Sequence, residues 1–404
     1  MKIAIVCFNL SWQAGGPRLI FSLAQTLKKS GHQVTIYTPD FNGEHFKELW
    51  EGLNIKVVTP KNKISWSGGS QGILSWIKDK IRKESLQLEI AEDLANAMDS
   101  DFDVVNLHDY AYRVARFYKY KNPKAKIVWT DNDPPYMFLP KKNPIRNFLG
   151  RIYVIYKNVT SRRFFKYIDT VTVLDFYNRD WCEKRGIKAV VSRLGVDFEN
   201  FYHPVKDFTE NTKTKSVKIM GLGALNPYRR YEDIVLAVKI LKDSGYNAEA
   251  LIVSKDAWDE REYREKLIDL VEKNKLNNFV KFMFEGASEA ELRNAFKNSD
   301  VFAYPVYLPP PRNGFGFSIG ALEAVAAGLP LIICHTTTSS EVLEDGKTAL
   351  FVDPMRPDQI AAKVKLLIDN PETYRRIALD GQNFVKSEMT WDKYTKILLQ
   401  SIEG

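Results

Sequence analysis

The residues of this chain best suited to chemistry lie in the stretch Asn313-Gly314-Phe315-Gly316-Phe317-Ser318-Ile319-Gly320-Ala321-Leu322-Glu323, which continues as Ala324-Val325-Ala326-Ala327-Gly328-Leu329-Pro330. It reads as a glycine loop, a short helix and a strand, with Gly328 ending the helix and Pro330 blocking its continuation. Amides near Ser318, Ile319 and Gly320 fall in the first helical turn, where no helical carbonyl uses them, and they suit a diphosphate. Glu323 lies one turn further on, placed to accept hydrogen bonds from a pair of ribose hydroxyls. A carboxylate within so small and apolar a helix needs such a partner, because burying it unpaired is costly. The plainer alternative is a glutamate that reaches solvent.

Gly15-Gly16 follows the first apolar run by a short loop and opens a helix. Backbone can approach a ligand closely there, and a helix N-terminus favours negative charge; a merely tight turn is the alternative. A dinucleotide fingerprint needs a third glycine at fixed spacing, and Pro17-Arg18 stand in its place, which disfavours a nicotinamide cofactor. Arg229-Arg230 follows a second glycine loop, and a planar guanidinium can bind two phosphate oxygens at once. Ordinary surface charge at a helix start is the competing reading of that pair.

Such loops need a rigid frame. Short β-branched runs at 3–6, 34–38, 104–107, 127–130 and 170–174 read as strands, with helical spacing at 18–29 and 84–98 between them. A polar stretch at 203–216 reads as an inter-domain linker. Strand runs then resume at 217–222, 250–253, 280–283, 301–304, 331–334 and 350–352, with helices such as 232–242 and 260–273. The alternation predicts α/β architecture with parallel sheets covered by helices, one in a domain spanning 1–202 and one in a domain spanning 203–387. The amphipathic tail at 388–404 is either an ordinary terminal helix or one that packs back on the first domain.

A length of 404 residues favours two domains, and 45% hydrophobic with 27% charged residues describes a globular chain rather than a disordered one. Cys7, Cys182 and Cys334 lack zinc or disulfide spacing, which points to a reducing cytosol. The N-terminal apolar run is too short for a signal peptide, and no stretch reaches bilayer-spanning length. The formal net charge of +8 is unevenly spread. No acidic residue occurs from 134 to 168, a stretch holding Lys141, Lys142, Arg146, Arg151, Lys157, Arg162, Arg163 and Lys166. Arg113, Arg116, Lys119, Lys121, Lys124 and Lys126 form a second basic cluster. Phe and Tyr interleave with both, so 113–166 suits an anionic membrane surface or an acidic acceptor, with a solvated helix face as the alternative. No recognition motif accompanies the charge, which argues against nucleic acid.

Taken in order, the motifs resemble the family 4 glycosyltransferases, also called glycosyl transferases group 1, over nearly the whole chain. Gly15-Gly16, with the helix and strand that follow through Thr38, is similar to the family's N-terminal motif. Asp103-Val104-Val105-Asn106-Leu107-His108 resembles its strand ending in a histidine that faces the donor sugar. Arg193-Leu194-Gly195-Val196-Asp197 and Phe201 resemble the segment that closes the first domain. Gly223-Ala224-Leu225 through Arg229-Arg230-Tyr231-Glu232-Asp233 resembles the loop and helix that bind the donor diphosphate. The resemblance implies the GT-B fold, two doubly wound Rossmann-like domains with a cleft between them. It implies sugar transfer from a nucleotide-sugar donor, with retention and with neither metal nor cofactor. His108 and Glu323 are then the catalytic set. Gly15, Gly16, Arg229, Arg230, Phe315, Gly316, Phe317, Ser318 and Ile319 line the donor, with Glu323 on its ribose.

The family pattern breaks in two places. Members carry Glu-x7-Glu, and counting back eight positions from Glu323 reaches Phe315; a two-residue shift reaches Asn313, and neither is a carboxylate. Ala224 stands where members place an arginine on the diphosphate, with Arg229 at the partner lysine's position and Arg230 able to supply the missing charge. Asp131-Asn132-Asp133 resembles the Asp-x-Asp metal motif of a different glycosyltransferase fold, but nothing else of that fold is present, and the triplet is expected to touch the acceptor. The leading expectation is a hexosyl- or pentosyltransferase at the cytoplasmic face of a membrane, acting on a lipid-linked or polysaccharide acceptor. The competing readings are a catalytically degenerate GT-B protein that binds nucleotide or glycan or supports a partner transferase, and a nucleotide-sugar epimerase.

Overall fold

Runs rich in Val and Ile build two all-parallel sheets in the computed structural model, which describes residues 1–12, 15–61, 73–132, 144–256, 260–308, 318–335 and 337–403. The first sheet holds β1 (Lys2–Val6), β2 (Gln33–Thr38), β3 (Asn54–Val57), β4 (Val104–His108), β5 (Lys126–Asp131), β6 (Thr170–Val173) and β7 (Ala189–Val191). Their order across the sheet is β3-β2-β1-β4-β5-β6-β7. The second holds β8 (Ser216–Ala224), β9 (Asn247–Lys255), β10 (Val280–Met283), β11 (Val301–Tyr304), β12 (Leu331–Cys334) and β13 (Leu350–Val352), in the order β10-β9-β8-β11-β12-β13. Central strands such as β4, β11 and β12 are buried along their whole length, as strands covered on both faces must be.

In each sheet the chain winds outward from its first strand, returns beside it, and winds the other way. The order therefore reverses between β1 and β4 in the first sheet and between β8 and β11 in the second. Doubly wound sheets take their ligands outside the carboxyl ends of the strands at such a reversal. Each sheet thus marks out a place of its own where a site belongs.

The chain divides into two compact units, one of Met1–Trp12, Gly16–Arg193 and Thr395–Gly404, the other chiefly Leu194–Tyr394. Each has its own core. Trp129, Tyr112 and Phe164 anchor the first, and Ile234, Ile252, Phe208 and Tyr374 the second. The polar run 203–216, expected as a linker, instead belongs to the second unit. Its single aromatic, Phe208, stacks on Tyr374 with ring centroids 3.9 Å apart, and Lys206 pairs with Asp300 at 2.8 Å. Thr212 Oγ1 adds a hydrogen bond to Ile368 O at 2.6 Å and Gln382 donates to His203 O at 2.8 Å, so long-range contacts fasten a segment whose composition is that of a tether.

Candidate active site

In the second unit, β8 sets two elements at its carboxyl end on opposite faces of the sheet. A side chain at Gly221 would run into Ile234 at 2.7 Å, so that face carries the helix Tyr231–Asp243. Leu222 points the other way, as strand alternation requires, and packs where a Cβ on Gly320 would lie 2.7 Å from its Cδ2. The helix Ile319–Ala326 therefore covers the second face. The chain ends of β8 and β11 emerge between these two helices.

Arg229 occupies that opening. Its Nη1 donates to Tyr304 Oη at 2.6 Å, at the end of β11. Its guanidinium also lies against Gly223, where a Cβ would sit 2.9 Å from Cζ. Gly223 has φ +147°, so both backbone and space call for glycine here. Ala224, the next residue, ends β8. Arg230, expected to supply a second cation to phosphate, already has carboxylate partners within its own unit. It takes a left-handed turn at φ 55°, donates to both oxygens of Asp233 at 2.7 and 3.0 Å, and pairs with Glu232 at 3.0 Å. These contacts hold Arg230 at the start of the helix Tyr231–Asp243.

The helix Ile319–Ala326 has both ends defined. Ser318 is its N-cap, its Oγ accepting from the Ala321 amide at 3.2 Å. At the other end the Gly328 amide bonds Val325 O and the Leu329 amide bonds Ala324 O, with Gly328 at φ +77°, which is a Schellman closure. The amides of Ile319 and Gly320 fall in the first turn, where the helix itself has no use for them. Glu323 is 1% exposed, so its carboxylate is held inside the unit rather than released to water. Phe315, Gly316, Phe317 and Asn313 lie outside the described residues.

In the first unit, His108 is the last residue of β4, at the other reversal point. It is the end of a buried polar chain running across three strands. The Asn106 amide donates to Thr130 Oγ1 at 2.7 Å, and Thr130 meets Thr172 at 2.9 Å. The Asn106 carbonyl oxygen lies 2.8 Å from His108 Nε2 and takes its proton, leaving Nδ1 as an acceptor. Nδ1 is buried and has no hydrogen-bond partner among the described residues. Burial alone lowers the imidazole to about 3, so the ring is neutral across the physiological range. Asp109 follows at φ 49°, and its carboxylate accepts from the Asn132 amide at 3.0 Å, tying the end of β5 to the end of β4. Asp131 is buried at the end of β5, and Asp133 lies outside the described residues.

Gly15 and Gly16 open the helix Gly15–Lys29, and a Cβ at either would meet nothing within 4 Å among the described residues. Among the described residues no group of three or more His, Cys, Asp or Glu is placed to hold a metal ion. Within its own unit the structure brings Arg229 and the Ser318-capped helix to one strand end, and places His108, Asp109, Asp131 and Asn132 together at another. Tyr304 and the Asn106–Thr130–Thr172 chain join these groups without having been anticipated. Asn106 could have been found as the residue two before His108 on one strand face, whereas its link to Thr130 depends on the β4–β5 register.

Residues 14–200 match Glycosyltransferase Family 4 and residues 204–384 match Glycosyl transferases group 1. Mannosylfructose-phosphate synthase of Agrobacterium fabrum is 23% identical over 95% of this chain and 85% of its own. Among solved structures, Anabaena HepE in complex with UDP and glucose superposes with a TM-score of 0.71 at 15% identity, covering 100% of this chain and 99% of that one. Sucrose-phosphate synthase from Thermosynechococcus elongatus superposes with a TM-score of 0.72 at 15% identity, covering 99% and 98%. These likenesses identify the fold as GT-B.

Proposed function

The chain belongs to the family 4, group 1 glycosyltransferases, and from that premise we propose that it transfers a hexosyl or pentosyl group from a nucleotide-sugar donor to a lipid-linked or polysaccharide acceptor at the cytoplasmic face of a membrane. Transfer proceeds with retention and without a metal ion. The observation that carries this reading is the pairing of Arg229 with a capped, glycine-packed helix start at the carboxyl end of β8. A guanidinium and unused amides at one strand end are what a leaving diphosphate needs, because catalysis of this kind rests on stabilising charge that develops on the leaving group. HepE has been solved with UDP-glucose as well as with UDP, which supports a nucleotide-sugar as the ligand class. Glu323 receives the ribose, and Nδ1 of neutral His108 accepts from a hydroxyl of the transferred sugar.

The experiment is a panel of UDP-, GDP-, dTDP- and ADP-sugars read by thermal stabilisation. A ligand that binds only the folded chain raises the melting point as its concentration rises, by about 2.7 kcal/mol at a hundredfold excess over Kd. One nucleotide class should stabilise and the others not; no stabilisation by any of them overturns the reading. A second reading rests on Phe315 and Ala224, where the family's acidic and basic residues are missing: a GT-B protein that binds nucleotide without transferring sugar. Donor turnover that disappears in Glu323→Ala excludes it.

A further inference from the structure

Of the basic residues between 113 and 166, several do not form a surface. Arg113 and Lys157 are buried and both pair with Glu84. Lys119 pairs with Asp169 at 3.0 Å, and Lys121 donates to Asn96 O at 2.8 Å. Of those that remain, Arg151, Arg162 and Arg163 lie on the helix Pro144–Phe165, which also carries apolar side chains outward. Its inner face packs Phe164, Val154 and Phe165 on the core of the first unit and adds a polar contact, Tyr153 and Lys157 both donating to Glu84. Its outer face is apolar. Phe148 is 64% exposed, Ile152 47%, Ile155 63% and Val159 62%.

At 100° per residue these four side chains fall within one stripe about 60° wide and about 17 Å long. Arg151, Arg162 and Arg163 flank the stripe, and Lys166 extends it past the helix end; all four are exposed. No Asp or Glu occurs anywhere in the helix. We propose that this outer face docks on an anionic lipid bilayer, with the helix lying in the interface plane, its apolar stripe among the acyl chains and the flanking arginines on lipid phosphates. This extends the membrane half of the functional reading to one named surface, and it does not depend on donor chemistry.

Charge decides between occupants. The spacing 148, 152, 155, 159 would also serve a two-helix seam with a second copy of the chain. A second copy would, however, set arginines against arginines with no carboxylate to answer them. A phospholipid surface supplies the missing negative charge over the whole face, and basic residues near such a surface each strengthen binding about fivefold.

The test is co-flotation of the full chain with vesicles of phosphatidylcholine alone or mixed equally with phosphatidylglycerol, at low and high salt. Binding is expected only to the anionic vesicles and is expected to fall with salt. Ile155→Asp should reduce it at least tenfold, and the pair Arg162→Gln with Arg163→Gln by about 25-fold. All three positions are exposed, so the melting point and nucleotide stabilisation should stay at the wild-type level. Equal binding to neutral vesicles, no binding to anionic ones, or unchanged binding by the variants overturns the proposal. So does a concentration-dependent dimer in sedimentation that Ile155→Asp abolishes while vesicles remain unbound, which would make the face a self-interface. Retained nucleotide stabilisation in that case leaves the donor reading standing.

Discussion

Arg229 and Tyr304 are joined by a 2.6 Å hydrogen bond that spans the ends of β8 and β11, the two strands between which the second sheet reverses its order. The bond orients the guanidinium, and the cation also lies 5.4 Å from the Tyr304 ring centre. An arginine held from behind in this way loses little freedom when it meets phosphate, since its fork is already set.

Arg229→Ala should therefore weaken binding of the stabilising nucleotide by roughly 10- to 100-fold, the worth of a charge-assisted hydrogen bond. Arg229→Lys keeps the charge and loses the fork, and should recover only part of it. Tyr304→Phe removes the support alone and should weaken binding less, by about threefold to tenfold. Isothermal titration of the three variants checks the order. A Tyr304→Phe loss as large as that of Arg229→Ala would mean the tyrosine contacts the ligand itself.

For Glu323 the discriminating measurement uses a modified ligand. If the carboxylate holds the ribose diol, Glu323→Ala and a 2′-deoxy nucleotide remove the same interaction, and their effects should fail to add. Each alone should weaken binding by roughly tenfold, and the two together by little more than either. Additive losses in the cycle would place Glu323 elsewhere. The variant's melting point without ligand separates this from damage to the helix Ile319–Ala326, whose interior the side chain occupies.

The parts of the fold legible in the sequence are those that local physics decides. Central strands such as β11 and β12 show as uninterrupted apolar runs because both faces are covered. The edge strands β3 and β7 do not, since each is short and only partly buried. The Ser318 cap and the Gly328 closure are equally local, and both are readable from residue type and spacing. Arg113 and Lys157 are the contrary case: they read as surface charge because Glu84 lies 29 and 73 residues away in the chain. The ion pairs of Arg230 are hidden for a similar reason, since Asp233 and Glu232 look like ordinary helix-start acids until the left-handed turn at Arg230 brings them together. The Asn106–Thr130–Thr172 chain needs three strands in register before it exists at all.

The depressed pKa of His108 has a definite sign. Its folded value of about 3 lies below the ordinary 6.5, so between those limits the unfolded chain binds a proton that the folded chain refuses. The stability this group contributes is fully present above pH 6.5 and is lost as pH falls towards 3, at up to about 1.4 kcal/mol per pH unit. Melting curves from pH 7 to 4.5 should fall more steeply for wild type than for His108→Gln. The same argument predicts no limb from imidazole titration in kcat/KM between pH 6 and 7.5. A limb there that His108→Gln removes would show that the ring takes up charge during turnover.

Glu84 carries the last prediction. Burial alone would raise its carboxyl, but Arg113 and Lys157 outweigh that and hold it below the usual 4.5. The Arg113 side chain is 1% exposed and that of Lys157 4%, so Glu84→Gln removes a carboxylate shared by two buried cations. Removing one partner from a buried ion group costs about 3–5 kcal/mol, which for a unit of this size lowers its melting point by roughly 6–20 °C. Calorimetry should show the loss in the first unit's transition alone, with nucleotide stabilisation of the second unit retained. A lowered folded pKa means Glu84 stabilises above 4.5 and loses its effect as pH falls through the folded value, so the gap between wild type and variant should narrow in acid. Adding Lys157→Met to Glu84→Gln should restore part of the lost stability, because it removes one of the two buried cations. A double variant no more stable than Glu84→Gln would show that the cation at 157 is satisfied by other means.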